Sequence, residues 1–193
     1  MSFSTKRPDS WDTAVTVAML LIPIGTAIGL RWIGPWPIII ALVACIAARI
    51  LLPRTAPVPV AMTLCLIAVV VAVLAVGSFA PDLAAMLYPV FMSAGLFVVF
   101  TATLVKPPSM VERFARIVEP DLDERGVRYT RKVTEVWIVF FAFNGLVALW
   151  TVQQNDLFYW GLYNGFISYL IAGLLFVGEF FVRQRVRSQS GAP

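Results

Sequence analysis

Apolar blocks of 17 or more residues fill this chain on both sides of one charged stretch, residues 106–135. Blocks of that length cross a hydrocarbon core of about 30 Å. A chain in lipid cannot leave its backbone polar groups unpaired, so each crossing segment is expected to be helical. Hydrophobic residues make up 60% of the 193, and the mean hydropathy is +0.84. Soluble domains use about 45–50% apolar residues. One integral membrane domain, residues 1–193, is therefore expected, with no second soluble domain.

Six spans are predicted: 13–30, 36–52, 58–78, 83–105, 133–152 and 157–182. The fold class is an all-α polytopic membrane helical bundle, six transmembrane helices plus one short amphipathic helix in a cytoplasmic insert, residues 106–132. The first span is read as retained, since no small-residue cleavage site follows it. Pro89 is expected in the first turn of span four, where proline is tolerated. Short turns after spans three and five make those spans antiparallel to their successors.

Charge sets the orientation. Lys6 and Arg7 precede span one, Arg49 and Arg54 flank the loop before span three, and Arg183, Arg185 and Arg187 follow span six. Seven Lys/Arg lie between spans four and five. The opposite loops carry only Arg31, Asp82 and Asp156. By the positive-inside rule both termini are cytoplasmic. Trp11, Trp32, Trp36, Trp137, Trp150 and Trp160 fall near span ends, the pattern of an aromatic belt. The net charge of +4 then reports topology, not nucleic-acid binding, because no basic patch interleaved with aromatics lies outside the spans.

Within the insert, Pro107-Pro108 breaks span four and Ser109 with Glu112 fits a capping box. Met110, Val111, Phe114, Ile117 and Val118 share one helical face, with Glu112, Arg113 and Arg116 on the other. Such a helix either lies in the membrane interface or closes the floor of the bundle. Asp121 and Glu124 are read as a second capping box, which would start the next helix before the membrane. The acidic residues Glu119, Asp121, Asp123 and Glu124 lack calcium-loop spacing and are read as solvated ion-pair partners.

The spans themselves offer little chemistry. No ionisable residue falls near a span's middle, which disfavours a charge-coupled pump. Asn144 and Asn164 are expected at similar depth on spans five and six. Hydrogen-bonded to each other beside Gly145 and Gly165 they are helix glue; with Tyr163 they would instead line a polar path. Gly161, Gly165, Gly173 and Gly178 predict close packing along the last span. Cys45 and Cys65 are read as small buried residues. The chain has no histidine, which removes histidine-dependent zinc peptidases, Ser–His hydrolases and His-ligated haem. No nucleophile–base pair can be named, and no cofactor or metal is implied.

The run from Met110 to Gly145, with its ERFAR helix, EPDL turn, VRYTR entry and FNG, resembles an uncharacterised family of small bacterial inner-membrane proteins. Genes of that family lie near aryl-polyene and related acyl-chain biosynthesis genes, and some members are mislabelled as part of DNA gyrase. A 193-residue membrane chain has no room for a gyrase core. The resemblance implies a bacterial inner-membrane location and an accessory role near acyl-chain chemistry, without catalytic residues. The function expected is a non-enzymatic scaffold. Arg113, Arg116, Arg128 and Arg131 would contact anionic headgroups of membrane lipids, or cytoplasmic acyl-handling enzymes and carrier proteins. The alternative is a transporter or flippase of a lipid-like amphiphile, with Asn144, Tyr163 and Asn164 along its path. A third reading, a metal-dependent lipid enzyme, would use the insert's acidic cluster.

Overall fold

The computed structural model describes residues 35–51 and 60–190. Among them every regular element is a helix: α1 (Pro35–Leu51), α2 (Val60–Gly77), α3 (Pro81–Val105), α4 (Met110–Val118), α5 (Glu124–Gln153) and α6 (Leu157–Leu162), which passes through a π-helical turn (Tyr163–Ile167) into α7 (Ser168–Ser190). Four segments are long and apolar enough to cross a membrane: Val60–Gly77, Pro81–Val105, Glu124–Gln153 and Leu157–Val182. Span one, the loop carrying Arg54, and the side chains of Cys45, Arg49 and Arg183 lie outside what is described.

α3 is the centre of the bundle. α2 and α1 pack on one side of it and α5 on the other, because α3 carries the small residues that let neighbours approach. A Cβ built on Gly95 would stand 2.5 Å from Cys65 Sγ on α2. A Cβ on Gly145 of α5 would stand 3.2 Å from Ser93 Cβ on α3. Small-residue contacts of this kind replace the hydrophobic drive that lipid removes. Around them Val69, Val73, Ala84, Phe100, Trp137 and Phe141 form one buried cluster. The outward faces are strongly apolar, with Val139 and Leu146 of α5 each 68% exposed. Surfaces like this need a non-aqueous covering.

Turn chemistry fixes the hairpin end. Pro81 opens α3, where its missing N–H costs nothing. Pro89 therefore sits two turns inside the helix, not in its first turn as the span boundary predicted. Asp156 caps α6, its Oδ1 accepting from the Phe158 N–H at 2.7 Å. Asn155 takes a left-handed φ of 53°, which asparagine tolerates better than bulkier residues.

Three sequence readings of α5 and the last helix change. Asp123, not Asp121, caps α5, accepting from the Gly126 N–H at 2.7 Å. The helix then runs unbroken for 30 residues and starts ahead of its apolar stretch. Among the described residues nothing lies within 4 Å of a Cβ built on Gly173 or Gly178, so neither mediates close packing between the described helices. Trp137 and Trp160 are buried and not part of a belt: Trp160 is fully enclosed and donates its indole N–H to the Met86 carbonyl at 2.9 Å. Trp36 and Trp150 are exposed, as belt residues would be.

Candidate functional site

The hinge between α3 and α5 is built by tertiary capping. The first N–H groups of a helix have no partner within it. Here the Met110 N–H donates to Thr103 Oγ1 of α3 at 3.0 Å, and the Val111 N–H to Thr134 Oγ1 of α5 at 3.3 Å. Each hydroxyl donates its own proton to its own helix, Thr103 to the Phe100 carbonyl and Thr134 to the Thr130 carbonyl. Glu112 Oε2 accepts from the Ser109 N–H at 3.4 Å, the backward half of the capping box. α4 is thus pinned by its N-terminus across the seam between α3 and α5.

Two of the four arginines expected to meet partners are committed to this hinge. Arg113 donates from Nε to the Pro108 carbonyl at 2.9 Å. Arg116 places Nε and Nη2 on Oε1 of the buried Glu112, at 2.9 and 2.8 Å, and Nη1 on the Pro120 carbonyl at 3.0 Å. Charge-assisted bonds of this kind are strong and directional. Arg128 and Arg131 differ. Their pairs with Glu124 and Glu135 are long, 3.5 and 3.7 Å, and exposed, so they restrain little. Arg125, Arg128 and Lys132 recur on one stripe of α5 that continues into the exposed apolar residues Val136, Val139 and Phe143.

The asparagines are brought into two separate clusters, not one. Asn144 donates to Ser93 Oγ at 3.0 Å and accepts from the Tyr163 hydroxyl at 3.1 Å, tying α3, α5 and the π-turn together. Asn164 donates to Thr151 Oγ1 at 3.0 Å and to the Trp160 carbonyl at 2.9 Å. The predicted Asn144–Asn164 bond does not form. Asn164 lies inside the π-turn and meets the last turns of α5 near Thr151, two helical turns beyond Asn144. Equal counts from the hairpin therefore do not bring the two amides together. The acidic residues of the insert do not converge either. Asp123 caps α5, Glu124 faces Arg128, and no cluster among the described residues could hold a metal ion.

Beneath α4 lies a cavity of about 250 Å³. Phe100 of α3, Val111 and Phe114 of α4, Trp137 and Phe141 of α5, and Phe176 of α7 form its apolar wall. Tyr129, Thr130 and Glu179 line it as well. The Tyr129 hydroxyl donates to the Glu179 carbonyl at 3.1 Å and joins α5 to α7. A shallower groove of about 530 Å³ between α2 and α3 is wholly apolar and rich in alanine. Sequence reasoning missed Ser93, Thr103, Thr134 and Thr151. Their signal was available as hydroxyl residues inside apolar helices, where an unpaired polar group is costly. No family model, curated protein or solved structure matches the chain.

Proposed function

We propose that this chain is a six-span bacterial inner-membrane protein with both termini in the cytoplasm, acting as a non-enzymatic scaffold at the cytoplasmic face. Its hinge end would recruit cytoplasmic enzymes or carrier proteins that handle acyl chains. The bias of Lys/Arg to one set of loops supports the orientation. The resemblance of residues 110–145 supplies the partner class.

One observation carries the reading. The first turns of α5 extend past the apolar segment as a continuous helix bearing exposed Arg125, Arg128, Arg131 and Lys132. Inside the bundle, by contrast, Asn144 bonds to Ser93 and Tyr163 and the Asn164 NH2 to Thr151, with only Asn164 Oδ1 of these amides lacking a partner among the described residues. Asn144, Tyr163 and Asn164 then act as helix glue, which weighs against a transport path. Arg113 and Arg116 hold the hinge in shape, and the docking role passes to the α5 cations.

The test uses the full chain in nanodiscs and an acidic acyl carrier protein as bait. Reversing Arg125, Arg128, Arg131 and Lys132 to glutamate should abolish capture while thermal stability stays the same. Capture that survives the reversal overturns the docking assignment. Labelling of a cysteine placed at Arg128 only from the periplasmic side overturns the orientation.

A further inference from the structure

The cavity beneath α4 has a direction. Along α5 its lining residues Phe141, Trp137, Val133 and then Thr130 with Tyr129 step about one turn at a time toward the hinge, over about 18 Å. Along α7 the step from Phe176 to Glu179 runs the same way. The deep end is aromatic, and the polar groups gather at the end where the apolar segment gives out. Phe114 and Phe176 are 43% and 61% exposed, so the mouth opens sideways, toward lipid. A volume of about 250 Å³ is small for a drug-sized ligand, whose pockets begin near 300 Å³. It matches one chain, not the two tails of a phospholipid.

We infer that this cavity is a binding site for a single-chain amphiphile that enters from the bilayer, its alkyl chain along Phe100, Trp137, Phe141 and Phe176 and its head beside Glu179. The tail cannot supply the selectivity. It leaves hydrocarbon for hydrocarbon, so its transfer contributes little. Selection falls to the head. Among the described residues Glu179 is the charged residue in the cavity's lining. Arg125, Arg128 and Lys132 occupy a stripe about a third of a turn away around α5. A carboxylate in a half-apolar setting favours a cationic or hydrogen-bond-donating head and disfavours an anionic one. The ligand class is therefore a long-chain amine, alcohol or amide. The inference rests on the membrane placement of α5 and α7 and not on the partner-docking surface, so either can fail alone.

The test uses the full chain in nanodiscs of zwitterionic lipid and three photoreactive dodecyl probes: amine, alcohol and carboxylate. The amine should label the peptides bearing Phe114, Trp137 and Phe176 about tenfold more than the carboxylate, the ratio expected for one hydrogen bond to a charged group. Glu179→Gln should collapse the amine-to-carboxylate ratio toward one while alcohol labelling persists. Val133→Trp should fill the cavity and remove labelling by all three. Ala115→Leu, a smaller filling, repeats that test should the tryptophan variant unfold. Equal labelling by the three heads overturns the inference. So does labelling that spreads evenly over Val139, Phe143 and Leu146, which is bulk lipid contact only.

Discussion

α3 and the final segment Leu157–Val182 are both long and apolar, yet they are held in opposite ways. Of an 18-residue apolar stretch in each, 39% is buried in α3 but 6% in the final segment. α3 has buried residues from Ala84 to Thr103 and is gripped most closely near its middle, at Ser93 and Gly95. The final segment is fastened near its two ends. Tyr163 and Asn164 bond at the hairpin end and the Glu179 carbonyl at the hinge end, while Leu174 and Val177 between them face outward and Phe176 rests on Trp137. Two segments of similar mean hydropathy, 2.1 and 1.9, can therefore be a packed core and a fastened strap. The cavity lies where the strap stands off from the core.

The contrast can be broken at its strongest point first. Gly95→Ala should destabilise the fold by about 1–3 kcal/mol, because the new Cβ meets Cys65 Sγ. Adding Cys65→Ala should restore part of that loss. Unfolding in mixed micelles, followed by circular dichroism, reads both, and additivity of the two changes would refute the close contact.

The strap's fastening comes next. Asn144→Leu strands Ser93 and Tyr163 together and should cost about 1–2 kcal/mol. Tyr163→Phe alone should cost about 0.6 kcal/mol, the mean of such membrane bonds. If Asn144→Leu proves neutral, the last helix is held by something other than its polar ends.

Thr134→Val removes the acceptor for the Val111 N–H and should cost about 1 kcal/mol. Amide exchange of Met110 and Val111 is the sharper readout. Val111 should lose protection while Met110, held by Thr103, keeps most of its own. Loss at both amides would mean that α4 undocks as a unit.

The smallest effect has the opposite sign. Gly173→Ala places a methyl on a helix where no described residue lies within 4 Å and should stabilise by about 0.5–1 kcal/mol. A loss there instead would show that a partner or lipid already occupies that face, which would erase the distinction between core and strap.

Parts of this architecture are legible without coordinates. Hydropathy alone places the apolar stretches of α2, α3, α5 and the last segment, since runs of that length suit few solvents but a bilayer. The Ser109–Glu112 capping pair is legible because both residues act within one turn of chain. The reading failed where a side chain had to choose among neighbours. Trp137 and Trp160 sit at depths that fit a belt and yet turn inward, one against Phe176 and one to the Met86 carbonyl. Asn144 and Asn164 have the same residue type and similar depth by count, but the π-turn and the offset of the hairpin give each a different threonine, serine or tyrosine. Arg113 read as a free contact, because the Pro108 carbonyl is not a predictable acceptor from composition, whereas the bond of Arg116 to Glu112 is legible in their i,i+4 spacing.

The sequence by itself determined that the chain is helical and suited to lipid, and where its charges gather. Those are properties of segments, set by solvent transfer and by a backbone that must bond to itself. Only the tertiary structure decided which helix is the core, which arginines are spent on the hinge, and that a cavity with one polar end opens beneath α4. In lipid, apolar side chains gain little by turning inward, so the choice of neighbour falls to close steric fit and single hydrogen bonds. Those depend on register and rotation, and a linear pattern does not encode either.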